Sequence, residues 1–158
     1  MDRLTTVVRL LGLLPGDLQG EPIPLMPQEV VARAIQLAAT AMNATDRSAD
    51  LVVEQDAPPI LANEARVLRS TVLLLHRSMS HSSADFEVVV SGDEQHAQLM
   101  FRPRGDGADP DAGMYLGSDT EAEALAALFE LDGGALRRQD FGVTLRFASL
   151  ARARAEGR

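Results

Sequence analysis

The chain contains no cysteine, no lysine and no tryptophan, and it has a single tyrosine. Without cysteine there is no disulfide framework, no thiol nucleophile and no cysteine-ligated metal, a composition that permits a cytoplasmic setting. Without lysine, Schiff-base chemistry is excluded, and any phosphate contact falls to arginine or to main-chain amides. Basic charge is in deficit as well: 15 arginines face 23 acidic residues, for a net charge of −8. Non-specific nucleic-acid binding rests on neutralising phosphates with basic side chains, so this balance argues against it. Long apolar runs are missing too. The opening MDRLTTVVRLLGLLPG is broken by Arg9 and falls well short of the ~20 residues of a membrane span. It also lacks a basic leader followed by a small-residue cleavage site. A soluble cytoplasmic protein is expected.

What is present is enough for one domain: 158 residues, 46% of them hydrophobic, can bury a core without metals or disulfides. Leu4, Val7, Val8, Leu11 and Leu14 fall on one stripe, so 3–14 reads as a short amphipathic helix stopped by Pro15-Gly16. An extended piece, Pro22 to Leu25, precedes a helix opened by Pro27, with Val31, Ile35, Ala38 and Met42 on one side. Leu51 to Val53 and Ile60-Leu61 read as strands. Asn63 can cap the next helix, whose stripe is Val67, Thr71, Val72, Leu75 and Met79. Two alternating runs, Phe86 to Val90 and Gln95 to Phe101, form a hairpin about Ser91-Gly92-Asp93-Glu94. Residues 102–117 are a Gly-, Asp- and Pro-rich loop. Ser118 to Glu121 has capping-box spacing and opens a helix ended by Gly133-Gly134. Ala135 to Gln139 and Val143 to Phe147 make a last hairpin, and the tail from Ala151 is expected to fray. Helices on one face of a mostly antiparallel sheet, an α+β two-layer sandwich, is the expected packing.

Several segments together resemble the ATP-binding domain of histidine kinases and their relatives, the Bergerat-type fold. Pro58 to Arg69 resembles the strand and helix start leading to that family's N box, and LRSTVLLLHRSMSHSS (68–83) occupies the N-box helix. The 86–101 hairpin, LAALFELDGG (125–134) and FGVTLRF (141–147) match the elements that follow, so the resemblance spans about 22 to 150. It divides the chain into an N-terminal helix (1–20), a kinase ATPase-like domain (21–150) and a flexible tail (151–158).

The positions that would carry chemistry depart from the family pattern. Leu74 and Ser78 stand where the N box has its two asparagines, the second of which helps hold Mg²⁺, and leucine offers no oxygen to a hard cation. His81 replaces a phosphate-contacting lysine. The DxGxG run that reads adenine corresponds to Pro103-Arg-Gly105-Asp-Gly107: the glycines persist, but proline has no side-chain acceptor. The glycine run that cradles phosphates at a helix start corresponds to Asp119-Thr-Glu121-Ala122, which sets negative charge against an anion. Aligning Met114 to Gly117 there instead leaves the other two losses in place. The resemblance therefore implies an ATP and Mg²⁺ site that has lost its function, and no cofactor or metal is expected.

No phosphoacceptor is expected either, because none of His76, His81 and His96 is followed by the acidic residue and nearby proline of a phosphorylated histidine. His76 and His81, five apart, point to different helix faces, so both are read as solvated or edge residues rather than a metal pair. Asp106, Asp109 and Asp111 lack the glycine and distal glutamate of a calcium loop and read as a solvated acidic loop. The expected function is a non-catalytic, kinase-like signalling module in a two-component pathway. Its partner would be a histidine kinase or response regulator, and Leu4, Val8 and Leu11 are the candidate dimerisation face. Three other readings stand beside it. One is a divergent kinase ATPase holding nucleotide through Gly105 and Gly107. Another is a kinase-fold phosphotransferase, which needs a hairpin histidine the sequence does not supply. The last is an unrelated α+β binding domain.

Overall fold

The computed structural model describes residues 20–41, 49–81, 85–103, 119–139 and 142–157. The amphipathic helix expected at 3–14, with Leu4, Val8 and Leu11, lies outside them, as do the glycine-rich loop and Met42. Four helices are described: α1 (Pro27–Ala41), α2 (Glu64–His81), α3 (Asp119–Glu130) and α4 (Leu150–Ala155). Seven strands accompany them: β1 (Ile23–Leu25), β2 (Ala49–Val53), β3 (Ile60–Ala62), β4 (Phe86–Gly92), β5 (His96–Pro103), β6 (Gly134–Gln139) and β7 (Gly142–Ala148).

Strand alternation does the main work. Phe86, Val88 and Val90, then Ala97, Leu99 and Phe101, then Val143, Leu145 and Phe147 are all buried, as a period of two requires when one sheet face meets a core. Register places Leu99 opposite both Val90 and Leu145, and Phe101 opposite Val88 and Val143. The outcome is a five-stranded mixed sheet in the order β2-β4-β5-β7-β6. Its β2–β4 pairing is parallel and the others are antiparallel. β1 and β3 form a separate two-stranded ribbon.

The same apolar cluster takes in the helices. Pro27 opens α1, where a missing N–H is harmless, and Val30, Val31, Ala34 and Ala38 are buried along one side of it. Asn63 caps α2: its Oδ1 accepts from the Arg66 main-chain N–H at 2.9 Å. Leu125 and Phe129 carry α3 onto the sheet, where the Phe129 and Phe147 rings meet edge to face at 6.4 Å. Gly133, at φ 77, makes the tight return from α3 to β6 that a side chain would strain. Gly142 lies so close to β5 that an added Cβ would fall 2.2 Å from the Phe101 carbonyl oxygen.

One boundary is corrected. Residues from Ala151, expected to fray, belong to α4, whose Ala153 is buried. Tertiary hydrogen bonds hold this helix, rather than its own propensity. The Ser149 N–H donates to the Gln95 carbonyl at 2.8 Å, the Leu150 N–H to the Pro59 carbonyl at 2.7 Å, and the Ser149 hydroxyl to the Glu94 carbonyl at 2.8 Å. The same hydroxyl caps α4 by accepting from the Arg152 N–H at 3.1 Å. Partners so remote in sequence leave no local pattern.

Candidate functional site

The resemblance puts the nucleotide between α2 and α3, and two ion pairs span those helices. At the α2 start, the Arg66 guanidinium meets the Asp132 carboxylate through Nε at 2.7 Å and through a second N–H at 2.8 Å. The same carboxylate accepts from the Asn63 main-chain N–H at 2.9 Å, and the Asn63 side-chain amide donates to the Gly20 carbonyl at 2.8 Å. The Asp132 side chain is 1% exposed, against 20% for Arg66. The hydrogen bond to Asp132 holds the Arg66 guanidinium above its ordinary pKa, with the carboxylate's charge adding to that and burial opposing it.

At the other end, Arg77 near the close of α2 pairs with Glu121 in the first turn of α3. The first residues of α2 thus face the end of α3, and its last turns face the start of α3, so the two helices run antiparallel. The Arg77–Glu121 pair stands where the resemblance places the phosphates, one residue before Ser78 and within the glycine-run position.

The residues singled out in the sequence are distributed as follows. Leu74 is 0% exposed and belongs to the core cluster, so its side chain packs among apolar neighbours. Pro103 is buried at the end of β5, opposite Phe86. Glu121 is exposed and charge-paired. Ser78 and His81 lie in the last turns of α2 and Asp119 opens α3, but their side chains lie outside the described residues, as do Gly105 and Gly107. His76, expected at a solvated edge, is instead buried at 4% exposure. The reason is the width of the buried arc: α2 packs between α1 and α3, so Leu74, Leu75 and His76 are covered in succession. Among the described residues no group of three or more His, Asp or Glu converges as a cation would need.

Sequence reasoning passed over Arg66, Asp132 and Arg77. Arg66 and Asp132 are 66 residues apart, and nothing in either neighbourhood announces the other. Arg77, directly beside Ser78 on the N-box helix, was accessible to the same residue-by-residue comparison.

No family model matches the chain, and no curated protein is similar to it at a significant level. Solved structures do match. The Acinetobacter baumannii histidine kinase AdeS superposes with a TM-score of 0.61 at 13% identity, covering 93% of this chain and 77% of that one. The catalytic domain of histidine kinase ThkA gives 0.60 at 9% identity, covering 82% and 97%. The ATP-binding domain of PrrB from Mycobacterium tuberculosis gives 0.56 at 16% identity, covering 82% and 97%. This chain has the fold of a histidine-kinase catalytic, ATP-binding domain. No helix among the described residues is long and apolar enough to cross a membrane.

Proposed function

We propose that this chain is a non-catalytic, histidine-kinase-like signalling module whose ATP site has been lost, and that it acts by binding a protein partner. The observation that carries the reading is the Arg77–Glu121 pair, which sets a carboxylate of the protein itself against an arginine at the phosphate end of the cleft. A polyphosphate entering there would have to displace that carboxylate and then bear its repulsion. Leu74 supports the same reading, because an apolar side chain packed in the core brings no oxygen to a cation. Both features weigh against a magnesium-bound nucleotide in this reading.

In this reading 21–150 is a two-layer, Bergerat-type domain in the cytoplasm. The partner is a histidine kinase or response regulator of a two-component pathway, and Leu4, Val8 and Leu11 offer a dimerisation face. Isothermal titration with Mg-ATP and with ADP tests the central claim. We expect no heat and no competition up to millimolar nucleotide. Micromolar binding would overturn the reading in favour of a divergent kinase ATPase, with Gly105 and Gly107 the next residues to change.

A further inference from the structure

At the opposite end of β5 from Pro103, basic side chains from three elements converge. His96 opens β5, and its Nδ1 lies 3.0 Å from an Arg146 guanidinium nitrogen on β7. Its Nε2 meets a guanidinium nitrogen of Arg152, on α4. A neutral imidazole has one lone pair and one N–H. Arginine only donates, so the ring can accept from one guanidinium and must present N–H to N–H at the other. Protonating the ring removes the remaining acceptor. The cluster therefore holds more donors than it has oxygens to receive them.

The acids nearby do not relieve this. Asp93, in the β4–β5 turn, is 3.8 Å from Nδ1, and its Oδ1 already accepts from the Gln95 and His96 main-chain N–H groups at 2.7 and 2.8 Å. Glu156 accepts from the Arg152 Nε at 3.0 Å. The arrangement is held firmly, because the hydrogen bonds from Ser149 fasten α4 to the turn that carries His96. It is also reachable, with the His96 side chain 23% and that of Arg152 38% exposed.

We infer that His96, Arg146 and Arg152 form a binding site for a phosphate-type oxyanion, separate from the α2–α3 cleft. Two guanidinium groups and an imidazolium supply donors from three directions, and a tetrahedral anion supplies the oxygens they lack. Without the anion, burial, Arg146 and Arg152 together hold the imidazole below its ordinary pKa, while Asp93 and Glu156 pull weakly the other way. An anion seated against the ring favours the charged imidazolium over the neutral imidazole. Binding and protonation therefore strengthen each other.

The test is NMR of the histidine rings in the full chain, with inorganic phosphate titrated at constant ionic strength against chloride. We expect a saturable shift confined to His96 among the chain's three histidines, with its titration midpoint moving upward as phosphate is added. Arg146→Gln combined with Arg152→Gln should weaken the response by about tenfold or more, while an unchanged amide spectrum elsewhere shows that the fold persists. No saturable shift, an equal shift with chloride, or an undiminished response in the double variant would each overturn the site. Methyl phosphate separates the sources. Binding at least as tight as the free ion assigns a phosphate monoester, weaker binding assigns the free ion, and both uphold the site. Because the cluster lies outside the α2–α3 cleft, failure here leaves the proposed function standing, and the converse holds too.

Discussion

The two ends of the α2–α3 pair use the same chemistry for different purposes. Each end joins an arginine of α2 to a carboxylate at one end of α3. At the Arg66 end the acid is sequestered and receives three N–H groups. At the Arg77 end the acid is 49% exposed. An ion pair in water contributes about 0–1 kcal/mol, whereas a buried carboxylate stripped of its partner is left uncompensated, at about 3–5 kcal/mol. The first pair belongs to the frame. The second adds little to stability, and in the proposed reading its role is to set a carboxylate where a phosphate would enter.

Breaking the frame gives the largest expected effect. Asp132→Ala leaves the Arg66 guanidinium partly buried without its carboxylate and strands the Asn63 N–H, and should cost about 3–4 kcal/mol. For a chain of this size that is a fall in melting temperature of roughly 10 °C, read by circular dichroism. A loss under about 1 kcal/mol would show that the two ends are alike after all. Leu74→Asn comes next. Restoring the family's asparagine places an amide in a closed apolar core and should cost about 2–4 kcal/mol, with no nucleotide binding gained. A stable Leu74→Asn protein that binds ADP would mean that the helix face, rather than the cleft, had been misjudged.

These two residues also mark what was legible from residues alone. The core face of the sheet could be read because alternation is a local signal: Val88 and Val90 announce themselves within a few positions. The same holds for the Asn63 cap and for the β4–β5 hairpin, although its turn lies at 93–95 rather than at Ser91–Glu94, because Ser91 and Gly92 still pair with β5. Leu74 and Pro103 could be singled out only because a family pattern stood beside them, and what the structure adds is that both are buried. Long-range pairing could not. Arg66 finds Asp132, and Ser149 finds Glu94 and Gln95, only after the sheet has closed, and neither residue type is unusual where it stands. His76 was misplaced for a related reason. A helix flanked by two others buries more than one stripe, and the sequence of α2 does not reveal its neighbours.

Opening the second clasp should leave the frame intact. Arg77→Gln or Glu121→Gln should shift stability by no more than about 1 kcal/mol, measured by urea denaturation. Glu121→Gln sharpens the contrast further, because it removes the negative charge that the proposed reading sets against a phosphate. If that charge alone kept nucleotide out, the variant would gain measurable ADP binding by titration calorimetry. With Leu74 and Pro103 unchanged, we expect none.

The smallest effect lies away from both clasps and concerns pH. His96 is held below its ordinary pKa of 6.5 by burial and by Arg146 and Arg152. Between the folded and unfolded values the unfolded chain binds more protons, so stability rises with pH across that window. The contribution is complete above about pH 6.5 and is lost as pH falls through the folded value. Asp93 is also held below its ordinary value, chiefly by hydrogen bonds from the Gln95 and His96 amides, so its contribution is lost at lower pH, below that of free aspartate. In phosphate-free buffer, denaturation midpoints should therefore decline in two steps on acidification, and Arg146→Gln should flatten chiefly the upper one, because Arg146 ranks second among the causes at His96 and last among those at Asp93. An upper step unaffected by that substitution would mean that the arginine does not act on the imidazole.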